Sequence, residues 1–282
     1  MEKNLFKYLF FVILLSLSTQ ACKSEYERVR TSGDPAIILK AALEYYEQEE
    51  YQRAQSLFEL IISSYRGQEE AEDIYFKYAY TYYHTRSFIS AAYYFKNFTQ
   101  TYSTSSFREE AEFMSAYSNY KMSPKFRLDQ TYTNTAIQEL QLFSNTFPTS
   151  PRVQQCNDLI DEMRAKLEEK AYDEGILYFN LRKYTASMRV FENLLKDFPE
   201  TDDTEEVRYY IIRSAYLLAE NSVLQKRAER YQEVVDLAIE YEDRLATSTY
   251  VQEIKDMRIN SQTQIKQLDN VRYQNQSTGS GS

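Results

Sequence analysis

The feature that most constrains this chain is a recurring helical pattern, whose clearest copy is Tyr51–Tyr65, YQRAQSLFELIISSY. In that copy an aromatic, a small residue, a phenylalanine and a second aromatic lie at offsets of 0, 3, 7 and 14. These offsets place all four side chains on one face of an α-helix. The same spacing recurs from four later starting points, Phe88, Thr133, Tyr184 and Tyr231. Five copies of one helix predict a repeat architecture.

A second helical pattern precedes each recurring helix and carries a small residue at a matching place. These small residues are Ala42, Ala79, Ala116, Gly175 and Ala215. Because small residues let two helices approach closely, each pair of patterns is predicted to form a helical hairpin of about 34 residues. Only 5 Gly and 5 Pro are present in 282 residues, which favours helices over a turn-rich β fold.

The hairpin pattern resembles the tetratricopeptide repeat, in which defined positions carry a small residue, Tyr, an aromatic, Ala, Phe and Pro. The fourth copy fits best, with Gly175, Tyr178, Tyr184, Phe191 and Pro199 in these places, although Ser187 replaces Ala. We therefore predict an all-α fold, an α-solenoid of about five tetratricopeptide-like hairpins closed by a C-terminal capping helix. The repeat domain is expected to span 35–268, with repeats near 35–68, 72–105, 109–150, 168–201 and 208–248. The third and fifth repeats carry insertions between their helices.

The N-terminus has the features of a secretory signal. Lys3 and Lys7 precede an apolar run, and small polar residues then lead to Ala21 and Cys22. The run is too short to indicate a membrane span, so an uncleaved anchor helix is only the alternative. Residues 1–21 are therefore predicted to be a signal peptide.

The setting of Cys22 resembles the lipobox of bacterial lipoproteins, although Leu17 lies five positions before the cysteine instead of the usual three. The resemblance implies acylation of Cys22, with residues 22–34 as a lipid-bearing tether. More than one acyl chain suffices for stable membrane anchoring. Lys23 stands where inner-membrane lipoproteins have Asp, which points to the outer membrane.

The sequence offers little that could support catalysis. Its histidine, His84, has no convincing Ser/His/Asp arrangement around it, and no glycine-rich phosphate loop or Cys/His cluster is present. Cys156 has no cysteine partner once Cys22 is acylated, and it is predicted to be a small buried residue. We expect no enzyme activity, no metal and no cofactor beyond the lipid. A net charge of -9 argues against nucleic acid as a partner.

The 27 Tyr and 16 Phe carry the functional prediction. In tetratricopeptide domains the first helix of each hairpin lines a concave groove, and its groove positions can be carried over to this chain. They fall on Leu39, Leu43, Tyr46, Phe76, Tyr80, Tyr83, His84, Phe113, Tyr117, Tyr120 and Lys121. Tyrosine rings with polar tips suit the binding of extended peptides. The alternative is that these rings only pack between repeats.

From about Cys22 to Leu268 the chain resembles the BamD family, the outer-membrane lipoproteins of the β-barrel assembly machinery. The resemblance rests on the lipid signal, the five hairpins that follow it and the lengthened third hairpin. It implies a scaffold that is lipid-anchored in the outer membrane and faces the periplasm. Its N-terminal repeats would receive unfolded outer-membrane protein precursors. Its C-terminal repeats would dock the periplasmic domains of the barrel-forming subunit BamA, alongside other subunits of the complex.

The resemblance also implies a basic residue on the second helix of the late hairpin as a docking contact. Arg189 and Lys196 are the nearest basic residues here, and Arg189 is about one position out of register. Residues 269–282 are predicted to be a disordered tail, whose end resembles a linker left by expression.

Two other functions remain open. A periplasmic tetratricopeptide adaptor for envelope maintenance or cell division would share the fold but would not associate stably with a barrel-forming subunit. A glycan-binding surface lipoprotein would use its aromatic residues as a sugar platform. Such proteins usually use Trp, and this chain has none.

Overall fold

The structure, a computed structural model, describes residues 25–279. Within this range the regular elements are all helices, twelve in number, so the predicted all-α fold class with tetratricopeptide-like hairpins is confirmed. The predicted signal peptide 1–21 and the predicted acylation site Cys22 lie outside the described residues.

Consecutive helices pair into hairpins that match the recurring pattern of the sequence. The helices are α1 Glu25–Arg30, α2 Pro35–Glu47, α3 Tyr51–Ile61, α4 Ala71–His84, α5 Phe88–Thr101, α6 Arg108–Met122, α7 Thr131–Thr146, α8 Val153–Asn180, α9 Tyr184–Asp197, α10 Thr204–Glu220, α11 Leu224–Arg244 and α12 Val251–Gly279. They form two compact units. Of the described residues, unit 1 holds 25–124 with 131–160, and unit 2 holds 125–130 with 161–279.

In both units the recurring pattern marks the core. The small residue of each copy and the bulky residue four positions later are fully buried, because both lie on the face that packs against the companion helix. In unit 1 these pairs are Ala54 with Phe58, Ala91 with Phe95 and Ala136 with Leu140, and in unit 2 Ser187 with Phe191. In the fifth copy the order of sizes is reversed, and Val234 and Ala238 are both fully buried. Cys156 is also fully buried, as predicted.

In unit 2, helices α8 and α9 approach each other closely at Gly175. A Cβ atom at this position would lie 2.5 Å from ring atoms of Phe191. The hydroxyl of Ser187 donates a hydrogen bond of 2.9 Å to the Gly175 carbonyl. This close approach explains why glycine stands where the other copies have alanine.

Three hairpin turns place a non-glycine residue in the left-handed region of φ. These residues are Glu49 with φ 60°, Arg86 with φ 59° and Arg182 with φ 57°. In each turn the amide of the next residue donates to the carbonyl five residues earlier, and the left-handed residue donates to the carbonyl three residues earlier. This is the Schellman helix ending, which usually has glycine at the left-handed position.

Substitution of Glu49 by glycine is therefore expected to raise the free energy of unfolding by about 0.5–1 kcal/mol. The relief of left-handed strain exceeds the entropy that glycine loses on folding. Gln48 provides the control, because its φ is -82° and glycine there should lower stability. Denaturant unfolding of the two variants measures both effects. Changes of the same sign at both positions would contradict the account.

Several boundaries differ from the sequence prediction. Residues 25–30 of the predicted tether form α1, whose Tyr26 and Val29 pack against the first hairpin. The insertion in the fifth hairpin lengthens α11 rather than forming a loop. Helix α12 continues beyond Leu268 to Gly279, whereas a disordered tail was expected from residue 269. It continues because no Gly or Pro interrupts the helix before its last residue.

Candidate functional site

Helix α4 carries aromatic residues on two faces. Ile74, Tyr78 and Thr81 are buried on the side that packs within unit 1. Tyr80, Tyr83 and His84 lie at i, i+3 and i+4, so they form a second stripe on the helix. Tyr80 and Tyr83 are partly exposed, and His84 is exposed.

This stripe is the middle of a run of ring contacts that crosses three hairpins of unit 1. Tyr46 of α2 contacts Tyr51 of α3, with ring centroids 5.5 Å apart. Tyr51 stacks on His84 at 4.0 Å with the ring planes 7° apart. On the other side, Tyr83 lies 6.2 Å from Tyr117 of α6. We call the whole set the aromatic strip: Tyr46, Tyr51, Tyr80, Tyr83, His84, Tyr117 and Tyr120.

At its α6 end the strip carries a cation. Tyr117 and Tyr120 are stacked with centroids 5.5 Å apart and planes at 17°. The ammonium nitrogen of Lys121 lies 4.8 Å from the Tyr117 ring centroid and 5.6 Å from that of Tyr120. Both distances fall within the range of a cation–π interaction, so Lys121 is held at the rim by the rings.

An open hollow of about 440 Å³ lies beside the strip. It is lined by Tyr83, His84, Arg86, Phe88 and Lys121. Arg86 is the left-handed residue of the α4–α5 turn, and that turn brings it to the hollow. The hollow therefore joins aromatic walls to two long cationic side chains, a combination that accommodates peptide side chains and their polar groups.

Tyr80 is held more firmly than the sequence suggested. Its hydroxyl donates a hydrogen bond of 2.6 Å to Glu110 Oε1, and Arg152 Nη2 donates to Glu110 Oε2, also at 2.6 Å. Burial raises the pKa of Tyr80, and the hydrogen bond to Glu110 raises it further. Tyr80 does not point away from the partner helix as predicted: its ring meets Phe95 of α5 edge-on, with centroids 4.9 Å apart, and its hydroxyl is engaged by Glu110, although the side chain stays partly exposed.

The surroundings of His84 favour its neutral form. Partial desolvation of the ring lowers its pKa below the usual value of 6.5, and the charge of Glu49 opposes this effect. A neutral imidazole can stack on Tyr51 without carrying a charge into the strip.

Phe113 does not line the groove, which corrects the prediction for that residue. It is 1% exposed, and the Arg152 guanidinium lies 4.1 Å from its ring centroid. Phe76 stacks on Phe107 at 4.6 Å and meets Tyr80 of the strip edge-on at 5.0 Å. Leu39 and Leu43 pack against the buried cluster of the first hairpin.

Three residues join the site that the sequence analysis did not assign to it. Tyr51 was interpreted as a packing residue of the recurring helix, yet it stacks on His84. Arg86 and Phe88 line the hollow because they follow His84 through a tight turn. For Arg86 and Phe88 the only sequence signal is their proximity to His84. The tetratricopeptide pattern gives groove positions only for the first helix of each hairpin, and both residues lie after that helix.

In unit 2, the predicted docking residues lie on one helix. Arg189 and Lys196 are both exposed on α9. A separation of seven residues places them on the same face, about 10 Å apart along the helix axis. Glu192 is also exposed and lies between them on this face, so this side of α9 presents two cations and one carboxylate to a partner.

The described part of the chain shows no group of three or more His, Cys, Asp or Glu residues placed to hold a metal ion. Between residues 25 and 279, no helix combines the length and the apolar character needed to cross a membrane.

Comparison with known families gives one match. The family described as "YfiO: Outer membrane lipoprotein" matches residues 32–231, which is well over half of the 282-residue chain. The match covers both the aromatic strip and α9. It is the BamD family domain, so the resemblance stated from the sequence is confirmed. No curated protein matches the sequence.

Proposed function

The chain belongs to the YfiO family of outer membrane lipoproteins, and from this premise we propose that it is a scaffold of the machinery that assembles β-barrel proteins. Family membership supports a role in assembly of the outer membrane. In the proposal, acylated Cys22 anchors the protein to that membrane, the repeats face the periplasm, and the chain performs no catalysis.

The observation that carries the proposal is the continuity of the aromatic strip. Successive ring centroids along it lie 4.0 to 6.2 Å apart. Side chains on one face of an extended peptide repeat every ~7 Å, a comparable spacing. Barrel strands alternate apolar with polar side chains and carry aromatic residues near their ends, so one face of an unfolded strand presents apolar and aromatic side chains. The strip can therefore contact several side chains of one such strand.

The polar groups of the strip complement this apolar contact. An unfolded precursor has unpaired backbone N–H and C=O groups that need hydrogen-bond partners. Tyrosine hydroxyls can donate to and accept from such groups while their rings supply contact area. The cations of Lys121 and Arg86 at the hollow offer further donors. We assign the binding of unfolded precursors to this part of unit 1.

For unit 2 the proposal assigns docking of the barrel-forming subunit BamA to α9. Its support is the exposed face that carries Arg189 and Lys196, together with the family's use of a basic residue on this helix. A charge contact at the rim of an interface mainly affects association rate and specificity. Other subunits of the complex would bind around this contact.

The test is purification of tagged, full-length protein from membranes in a mild detergent. Wild type is expected to retain the barrel-forming subunit. The double substitution Arg189→Glu and Lys196→Glu is expected to reduce its recovery by about tenfold, because it places like charges against an acidic partner surface. Lys226→Glu is the matched control, since Lys226 is an exposed cation on α11. Absence of the barrel-forming subunit from the wild-type preparation would contradict the proposal and favour a different periplasmic adaptor.

A further inference from the structure

Helix α1 is packed onto the first hairpin. Its Tyr26 and Val29 contact the buried cluster that includes Ile38, Ala42 and Phe58. The Tyr26 ring meets the Tyr45 ring edge-on, with centroids 5.7 Å apart and planes at 76°. A six-residue helix is too short to be stable alone, so these contacts are what hold α1 in place.

Arg53 of α3 secures the same contact from a second helix. Its guanidinium carbon lies 5.7 Å from the centroid of the Tyr26 ring and 5.4 Å from that of Tyr45. Glu50 pairs with Arg53 and fixes the side chain in this position. One cation thus bridges α1 and α2 through two aromatic faces.

The connection between α1 and α2 is a folded corner. The Thr31 hydroxyl donates to the Glu27 carbonyl at 2.7 Å. Gly33 has a φ of 73°, which a residue with a side chain rarely adopts. Asp34 Oδ1 then accepts hydrogen bonds from the amides of Ala36 and Ile37, which caps α2. Residues 25–34 are therefore part of the folded unit.

This arrangement shortens the link to the lipid. After the proposed cleavage before Cys22, only three residues, 22–24, separate the start of the chain from α1. Three residues span at most about 10 Å, whereas the 13 residues from Cys22 to Asp34 could span about 45 Å if α1 were released. The lipid on Cys22 is therefore tied within about 10 Å of the start of α1.

We propose that α1 is a membrane latch, which couples the lipid on Cys22 to the first hairpin and holds that hairpin against the lipid surface. This inference rests on the proposed acylation of Cys22. The first hairpin contributes Tyr46 and Tyr51 to the aromatic strip. The latch therefore fixes the distance between this end of the strip and the membrane surface. Precursor segments are then received close to the membrane that they will enter.

The test uses full-length acylated protein in vesicles of phosphatidylethanolamine and phosphatidylglycerol that carry a dye on a headgroup. A donor dye is placed through Lys40→Cys, because Lys40 is exposed on α2. Native Cys156 is buried and does not compete for the label. Energy transfer then reports the height of the first hairpin above the lipid surface.

The latch variant combines Tyr26→Ala with Val29→Ala. Energy transfer is expected to fall by about half, since a released tether has a root-mean-square length of roughly 20 Å. A second variant inserts about ten Gly and Ser residues between Ser24 and Glu25, and it should give a similar fall without touching the fold. Tyr93→Ala removes a 60% exposed ring elsewhere in unit 1 and should leave transfer unchanged.

Trypsin cleavage at Arg28 and Arg30 measures release of α1 independently of the lipid, because cleavage requires local unfolding. Faster cleavage in the latch variant is expected. Unchanged cleavage in that variant, or unchanged energy transfer in either variant, would overturn the latch. Persistence of Cys22→Ser protein in the membrane fraction would instead overturn the proposed lipid anchor, so the two failures are distinguishable.

Discussion

Gly175→Val is expected to lower the free energy of unfolding by about 3 kcal/mol, because it forces atoms into a packed helix contact. A Cβ at this position already lies 2.5 Å from Phe191, which is fully buried. The Phe191 ring cannot move aside freely, since the Tyr172 and Tyr210 rings lie 6.0 and 5.7 Å from it. Valine has a slightly higher helix propensity than glycine, but this gain in stability is too small to offset the overpacking.

Denaturant unfolding measures the effect, and two variants identify its cause. Leu177→Val alters the same helix at a residue that is 55% exposed, so it should change stability by less than about 0.5 kcal/mol. Phe191→Leu introduced beside Gly175→Val should recover part of the loss by removing ring atoms from the contact. Wild-type stability of Gly175→Val would show that the close approach of α8 and α9 is not as described.

Tyr83→Ala combined with Tyr117→Ala is expected to weaken binding of a barrel-strand peptide by between about tenfold and about 100-fold. The two rings lie 6.2 Å apart and bridge α4 to α6, so their loss interrupts the aromatic strip at its centre. Tyr80 is left intact because its hydroxyl bond to Glu110 is part of the fold. The probe is a peptide of about ten residues with alternating aromatic side chains, the length of a transmembrane β-strand.

Calorimetric titration measures this affinity, and two controls accompany it. Tyr93→Ala with Tyr132→Ala removes two rings that are 60% and 38% exposed and lie outside the strip, so binding should be unchanged. A peptide whose aromatic residues are replaced by serine should bind wild type weakly. Equal loss of affinity in both double variants would mean that the strip has no special role.

The repeat architecture could be predicted because it depends on local spacing. A face of small and aromatic residues at fixed offsets decides which side of a helix is buried, and the same offsets recur five times. That spacing correctly places Ala54, Phe58 and Phe95 in the core. Tyr83, His84 and Tyr117 could also be assigned to one surface, because all three occupy groove positions of successive first helices.

The errors arise where distant residues decide the outcome. Phe113 occupies a groove position, but Arg152 reaches its ring from the start of the segment leading into α8 and covers it. Tyr80 is engaged by Glu110, thirty residues later. Helix α1 is too short for a periodic signal, and it forms because Arg53 and Tyr45 receive Tyr26. The residue pattern of a single helix gives no information about contacts of this kind, because the partner residues lie elsewhere in the chain.

The central claim is that the aromatic strip receives unfolded barrel precursors, and site-specific photocrosslinking in the intact membrane tests it most directly. A photoreactive phenylalanine analogue replaces Tyr83 in one strain and Tyr93 in another, since both are tyrosines of unit 1 and only Tyr83 belongs to the strip. We expect crosslinks from position 83 to newly exported barrel proteins, at least tenfold above those from position 93. Equal crosslinking at the two positions, or crosslinks from position 93 alone, would contradict it.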